Sequence, residues 1–112
     1  MRIYIAGVIS RGATLSREEV ISNIAQFDEA AARLRAEGHE PVNPVDLHDV
    51  RPTDEPTVTK ELWNRRLRVD IAALLTCDAI YLLPGWEDSR GACLERYIAE
   101  QFDMEVRYRS GR

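Results

Sequence analysis

The sequence predicts a single α/β domain whose parallel sheet is covered by helices on both faces. Short apolar segments rich in β-branched and aromatic residues, such as residues 2–6 and 79–83, alternate with longer segments of helical periodicity. This alternation is typical of parallel sheets, because each crossover helix returns the chain to the same edge. We predict about four strands in the order 2-1-3-4 within residues 1–109, followed by a loose tail at residues 110–112.

Local signals mark where the predicted elements begin and end. Ser16 and Glu19 have the spacing of a capping box, and Gly38 stands where a glycine ends a helix. Pro41 and Pro44 suit an edge position or a strand end, because proline cannot donate to the hydrogen bonds of a sheet. The predicted strands are residues 2–6, 40–45, 78–83 and 104–108, and the predicted helices are residues 16–38, 59–75 and 89–102.

Composition and charge narrow the class of protein. The net charge of −4 and the lack of a basic stripe argue against a general nucleic-acid binder. No apolar run approaches the ~18 residues of a membrane span, and the chain opens with a strand rather than a signal peptide. We expect a cytoplasmic protein with no membrane or nucleic-acid partner. Cys77 and Cys93 lack metal-site spacing and stand apart from His39 and His48, so we expect buried free thiols and no metal.

Residues 84–95 are the strongest candidate for a functional segment. They lead from the third strand into the last helix, which places Ser89 and Gly91 at a helix start whose backbone N–H groups can hold an anion. Glu95 follows inside that helix, on the shoulder of its apolar side. A carboxylate behind an anion-binding helix start suggests chemistry on a phosphorylated or hydroxyl-rich small molecule. By helical position alone, however, a surface role for Glu95 and a capping role for Ser89 are at least as common.

Asp70 is the second unusual carboxylate of the sequence. It lies in one helical stripe with Trp63, Leu67 and Leu74. An aspartate in an apolar stripe has to be paired, hydrogen-bonded or placed at the lip of a cavity. A pair with Arg66 or a hydrogen bond to a neighbouring loop is the structural interpretation, and a perturbed active-site carboxylate is the functional one.

Several other residues are expected near the same crevice. Residues 7–12 and 84–91 both follow strand carboxyl ends, where parallel sheets bind ligands. Trp86 either stacks on a planar base or covers the edge of the core or a subunit contact. His48, in a long polar loop, is expected to be solvated although it could reach the crevice. Asp78 is expected to be structural, capping the turn before it.

Three groups of residues together resemble the nucleoside 2-deoxyribosyltransferase-like superfamily. They are Tyr4-x-x-Gly7, Asp70 with Asp78 eight residues later, and Ser89-x-Gly91-x-x-x-Glu95. The pattern is most similar to the deoxynucleoside 5′-monophosphate N-glycosidase branch and to a short subfamily common in phages and prophages. The subfamily motifs are a Tyr-Ile-Ala-Gly start, an Asn-Pro pair and a Leu-Pro-Gly-Trp turn, here residues 4–7, 43–44 and 83–86. The resemblance implies a Rossmann-like or flavodoxin-like domain over nearly the whole chain.

The resemblance also implies a reaction and a role for each matching residue. Glu95 matches the nucleophile at the sugar C1′, Asp70 the group that assists the leaving base or orients the site, and Tyr4 the residue that positions the glutamate. Ser89 matches the phosphate site of the monophosphate glycosidases. The implied activity is cleavage of a nucleotide N-glycosidic bond without a cofactor, by a homodimer or higher homo-oligomer. Further substrate or phosphate contacts are expected from Gly7, Ile9, Arg11, Gly91 and Trp86.

Two departures from the superfamily pattern keep other functions open. The chain ends soon after the fourth strand, where superfamily enzymes have a fifth strand and complete the site across a dimer. The loop at residues 7–12 is one residue out of step if Arg11 holds phosphate. The alternatives are a base-exchanging deoxyribosyltransferase, a nucleotide-binding module without turnover, and a structural oligomer-forming domain.

Overall fold

The structure, a computed structural model, describes residues 1–9, 15–48 and 60–109. Four parallel strands form one sheet in the order β2-β1-β3-β4, which confirms the predicted topology. Helices cover both faces of this sheet. In chain order the elements are β1 (Arg2–Ala6), α1 (Arg17–Ala36), β2 (Glu40–Val42), α2 (Pro44–Leu47), α3 (Lys60–Leu74), β3 (Ala79–Leu82), α4 (Arg90–Gln101) and β4 (Glu105–Tyr108), with a 3-10 turn at Trp86–Asp88 before α4.

β1 lies inside the sheet and divides the core into two apolar clusters. Its side chains alternate, so Ile3 and Ile5 pack with α1 on one face while Tyr4 and Ala6 pack towards α3 and α4 on the other. Every residue from Ile3 to Ala6 is buried. An apolar run of this kind is what a central parallel strand requires, because both of its faces are covered. Tyr4 is thereby fixed on the face that α4 covers.

The ends of α1 are formed by the residues that the sequence indicates. Ser16 Oγ accepts the backbone N–H of Glu19 at 3.1 Å, and Glu19 Oε1 accepts the backbone N–H of Ser16 at 3.0 Å. Gly38 follows the helix with a φ of +90°, a conformation in which a side chain is strained. The predicted capping box and terminating glycine are confirmed.

The second strand is shorter than predicted. It ends at Val42, and Asn43 instead caps α2 by accepting the backbone N–H of Val45 on Oδ1 at 3.1 Å. Pro44 then occupies the first helical position, where its missing N–H costs nothing. The prediction of strand at residues 43–45, and of loop at residues 46–47, was therefore wrong. The rest of the predicted long loop at residues 49–58 and the tail at residues 110–112 lie outside the described residues.

The two cysteines differ in environment. Cys77 is buried, as predicted, and burial raises the pKa of its thiol. Cys93 is exposed, so that prediction was wrong. It lies in the first turn of α4 beside Ala92, which is the residue that turns towards the core. None of the helices formed by residues 15–48 and 60–109 is long and apolar enough to cross a membrane.

Candidate active site

Tyr4 and Glu95 meet beneath α4 in the protein interior. The Tyr4 hydroxyl donates to Glu95 Oε2 at 2.6 Å, and the side chains are 0% and 5% exposed. Of the two positions that helical periodicity left open for Glu95, the structure shows the buried one. α4 packs against both β1 and β3, so Glu95 faces the interior although it lies at the border of the apolar side of the helix.

The second oxygen of Glu95 is free. Of the residues that the structure describes, only Tyr4 donates to the Glu95 carboxylate, and it does so on Oε2. Across these residues, no side-chain oxygen that is fully shielded from solvent lacks a partner. Among the described residues Glu95 Oε1 has no hydrogen-bond partner, so it is the oxygen of this carboxyl group that remains available to a ligand.

Burial changes the acidity of both side chains. It raises the pKa of Glu95 to about 8, and the nearby Asp70 carboxylate acts in the same direction. The hydrogen bond from Tyr4 opposes this rise, because it stabilises the ionised carboxylate. Burial and the Glu95 carboxylate also raise the pKa of Tyr4, so its hydroxyl stays a hydrogen-bond donor. Near neutral pH the site holds a protonated acid that can be ionised with little additional energy.

Asp70 lies beside Glu95 and is held by His48. The two side chains are 17% and 13% exposed, and His48 Nε2 lies 2.7 Å from Asp70 Oδ1. Burial raises the pKa of Asp70, while His48 and the positive charge of Arg66 oppose the rise. A proton is shared across this contact, either on the aspartate oxygen or on the imidazole nitrogen. The hydrogen bond expected for Asp70 is found, and its partner is a residue expected to be solvated.

His48 is the site residue that the sequence interpretation missed. It directly follows α2, a short helix that positions it against α3. The missed signal was the pair Asn43-Pro44, which has the residue types of an N-cap and a first helical position.

The start of α4 has the geometry of an anion site. Ser89 is the N-cap, as predicted, because its Oγ accepts the backbone N–H of Ala92 at 3.1 Å. Among the described residues, none accepts a hydrogen bond from the backbone N–H groups of Arg90 and Gly91. Gly91 also lies near α3, where a Cβ would be 3.7 Å from Leu67. These N–H groups are therefore donors of the kind that bind anions at helix starts.

The first loop contributes packing at the same edge of the sheet. A Cβ on Gly7 would lie 3.1 Å from Leu83 and 3.3 Å from Phe27, so a side chain here would make unusually tight contacts. Ile9 packs against the α1 cluster, and its carbonyl accepts from the Asn23 side-chain amide at 3.0 Å. Ligand contacts for Gly7 and Ile9 remain predictions. Arg11 lies outside the described residues.

Trp86 covers the edge of the core. It packs against the cluster between the sheet and α4, with its ring 6.3 Å from that of Tyr108 and the Arg96 guanidinium 5.2 Å above it. This arrangement fits the structural interpretation of Trp86, and base stacking stays a prediction. Asp78 has a structural contact, although not to the preceding turn, because its Oδ2 accepts the backbone N–H of Arg2 at 2.9 Å.

Together these residues form a small acid–base cluster rather than a metal centre. The cluster consists of two carboxylates, a phenol and an imidazole, and an anion-binding helix start lies on the same helix as Glu95. Within residues 1–9, 15–48 and 60–109, no three histidine, cysteine or acidic side chains converge as metal ligands would. Carboxylates with raised pKa values that converge near a helix start are typical of a catalytic or ligand-binding site.

The fold and this cluster define a parallel α/β domain with a buried glutamate beneath the first turns of its last helix. Over residues 1–108 the sequence matches the family described as "Domain of unknown function (DUF4406)", and the chain belongs to that family. A comparison with curated proteins gave no match.

Proposed function

We propose that this protein cleaves the N-glycosidic bond of a nucleotide, with a (deoxy)nucleoside 5′-monophosphate as substrate. The observation that carries the proposal is the Glu95 carboxyl group, which Tyr4 fixes through Oε2 and whose Oε1 has no partner among the described residues. The residues that resemble the nucleoside 2-deoxyribosyltransferase-like superfamily support the same activity, because Tyr4, Asp70 and Glu95 converge in space.

In the proposed reaction Glu95 is the nucleophile. Its Oε1, as carboxylate, forms a bond to the sugar C1′ while the bond from C1′ to the base nitrogen breaks and its electron pair moves to the base. Water then attacks C1′ and releases Glu95. A carboxylate stabilises the oxocarbenium-like transition state, and the covalent intermediate divides one difficult step into two. The hydrogen bond from Tyr4 favours the ionised form that this step requires.

Asp70 and His48 supply the proton for the departing base. The proton between Asp70 Oδ1 and His48 Nε2 is transferred to the base nitrogen, and the pair recovers a proton from water during the second step. Burial shifts the pKa of Asp70 upwards, which is the direction that suits a general acid.

The substrate phosphate is held at the start of α4. The free backbone N–H groups of Arg90 and Gly91, the Ser89 hydroxyl and the positive end of the helix dipole favour an anion at this position. The superfamily resemblance further suggests a homodimer that acts in the cytoplasm. The outer side of α4 and the turn after it fit a subunit contact, since Tyr97 is 60% and Phe102 is 66% exposed.

The test is a base-release assay over ribo- and deoxynucleosides and their 5′-monophosphates. Glu95→Gln keeps an acceptor for Tyr4 but removes the nucleophile, and Glu100→Gln is the matched control at an exposed position of the same helix. Base released from one monophosphate class by the wild type and the control, but not by Glu95→Gln, supports the proposal. Base exchange that needs a second base identifies a transferase. If Glu95→Gln releases base as fast as the wild type, Glu95 is not the nucleophile.

A nucleotide-binding module without turnover is the second candidate. It is favoured by the pKa of Glu95, which at about 8 leaves the free protein with a mostly neutral side chain near neutral pH. A neutral carboxyl group can hydrogen-bond a ligand without attacking it. This candidate predicts saturable nucleotide binding by wild type and Glu95→Gln alike, with no base released by either protein.

A further inference from the structure

A pocket with a largely apolar wall and two arginines in its lining lies on the flank of α3, beside the acid cluster. It is open to solvent, has a volume of about 260 Å³ and does not include Tyr4, Asp70 or Glu95 in its lining. It shares one residue with the acid cluster, His48, whose Nε2 contacts Asp70. The lining residues are His48, Leu62, Arg65, Arg66 and Val69.

The net charge of α3 is opposite in sign to that of the whole chain. α3 carries the basic residues Lys60, Arg65, Arg66 and Arg68 against two acidic ones, whereas the full sequence has a net charge of −4. The positive charge of this helix attracts small anions locally, although the protein as a whole is acidic.

The two arginines of the pocket, Arg65 and Arg66, make no salt bridge among the described residues, so their N–H groups are available to a ligand. Arg66 is close enough to Asp70 for its charge to lower the pKa of that carboxyl group, so it lies between the pocket and the acid cluster. On His48, the other ring nitrogen, Nδ1, has no partner in the same part of the chain.

We propose that this pocket binds an oxyanion, a phosphate or carboxylate group, between the guanidinium groups of Arg65 and Arg66. Two neighbouring guanidinium groups offer planar sets of donors that match the oxygens of such a group. Leu62 and Val69 supply an apolar wall for the body of the ligand. The site is separate from the phosphate position at the start of α4, and its existence does not depend on N-glycosidase activity.

Shared use of His48 couples the pocket to the acid cluster. An anion beside the imidazole attracts a proton towards His48 and away from Asp70. Occupancy of the pocket therefore alters the group that the proposed reaction uses as its acid, without contact between the anion and Glu95.

The experiment follows the two histidine side chains by NMR during titration with inorganic phosphate. Chloride replaces phosphate at constant ionic strength, and Arg65→Gln, Arg66→Gln and the same-helix control Arg68→Gln are titrated in parallel. The sequence contains two histidines, and His39, which lies beside the N-terminal amine, serves as an internal control. A His39→Gln variant assigns the signals.

We expect the ring signals of His48 to shift with saturation in the wild type and in Arg68→Gln, while those of His39 stay in place. In Arg65→Gln and Arg66→Gln, the affinity for phosphate should fall about tenfold, because each substitution removes a charge-assisted contact. A linear response of His48 in the wild type, or equal affinity in Arg65→Gln, would overturn the proposal.

A second set of titrations distinguishes free phosphate from the phosphate of a nucleotide. A nucleoside 5′-monophosphate that saturates the His48 shift at lower concentration than inorganic phosphate identifies a nucleotide ligand, and equal affinities identify the free anion. Saturation by the monophosphate that is unchanged in Arg65→Gln and Arg66→Gln contradicts an oxyanion site between these residues. These are binding measurements, so a failure to release base leaves their outcome unchanged, and an absence of saturable phosphate binding does not decide whether the protein releases base.

Discussion

Tyr4 Oη lies 2.6 Å from Glu95 Oε2, and this contact joins β1 to α4 across 91 positions of sequence. It connects the fold to the site, because β1 is the strand to which both β2 and β3 pair. Two opposed effects act on the ionisation of Glu95. Burial keeps its carboxyl group neutral, whereas the phenol donor stabilises the charge that a nucleophile needs.

The first prediction concerns stability and pH. The folded pKa of Glu95, about 8, lies above the ordinary glutamate value of 4.5. Between these two pH values the folded state keeps a proton that the unfolded state has released. The free energy of unfolding should therefore fall as pH rises through this range. The side chain at position 95 cannot ionise in Glu95→Gln, so the free energy of unfolding of this variant does not fall for this reason as pH rises. Between pH 5 and pH 8 its stability relative to wild type should increase by about 3 kcal/mol, measured by urea denaturation. A difference that is independent of pH contradicts a raised pKa.

The second prediction concerns the pH dependence of base release. If Glu95 is the nucleophile, kcat/KM should rise as pH increases to about 8, because only the ionised carboxylate attacks. Tyr4→Phe removes the donor that lowers the pKa of Glu95, so the midpoint should move to higher pH. Tyr81→Phe, on the opposite face of the sheet, is the control and should keep the wild-type profile. An unshifted midpoint in Tyr4→Phe would remove Tyr4 from this role.

The third prediction concerns proton delivery by Asp70 and His48. His48→Ala removes the hydrogen bond and charge that lower the pKa of Asp70, and it breaks the path of the proton to the leaving base. The rate of base release should fall about 10²-fold, the usual contribution of a general acid. His39→Ala, far from the site, should be close to wild type. In His48→Ala, the rate of base release should fall less for substrates whose base leaves readily without protonation. An equal fall in rate for all bases would contradict proton delivery by Asp70 and His48.

The fourth prediction concerns packing at Gly7. Gly7→Ala places a Cβ within 3.1 Å of Leu83 and 3.3 Å of Phe27, so it should destabilise the fold by roughly 1–3 kcal/mol through overpacking. Gly91→Ala is the matched control, because the corresponding Cβ has ordinary contact distances and stands in a helix that favours alanine. Thermal unfolding should show a clear loss for the first variant and none for the second. Equal effects would contradict the close approach at Gly7.

The fifth prediction separates the two roles of Ser89. Ser89→Ala loses the acceptor for the Ala92 N–H and should cost about 1 kcal/mol of stability. Ser89→Asp keeps a good N-cap but adds a negative charge where the substrate phosphate is proposed to lie. It should retain stability and nucleoside binding while its affinity for the monophosphate falls, as measured by calorimetry. Unchanged monophosphate affinity in Ser89→Asp would show that Ser89 is a cap alone.

Much of the fold followed from local patterns. The apolar segments and capping signals predicted the four strands and the three long helices of the described residues, because helical hydrogen bonds and side-chain periodicity are decided by near neighbours. The short helix α2 was missed for a local reason as well. Pro44 was interpreted as a strand end, although Asn43 before it is a preferred helix cap.

The sequence by itself determined the four-stranded parallel topology, the helix starts at Ser16 and Ser89, and the residue types available for chemistry. Tertiary structure alone decided that Glu95 is buried and that His48 holds Asp70. Helical periodicity specifies a direction around one axis, but burial depends on which elements pack on that side. Contacts such as that between Tyr4 and Glu95 form only when distant segments are brought together, and the pKa values of the site follow from that assembly.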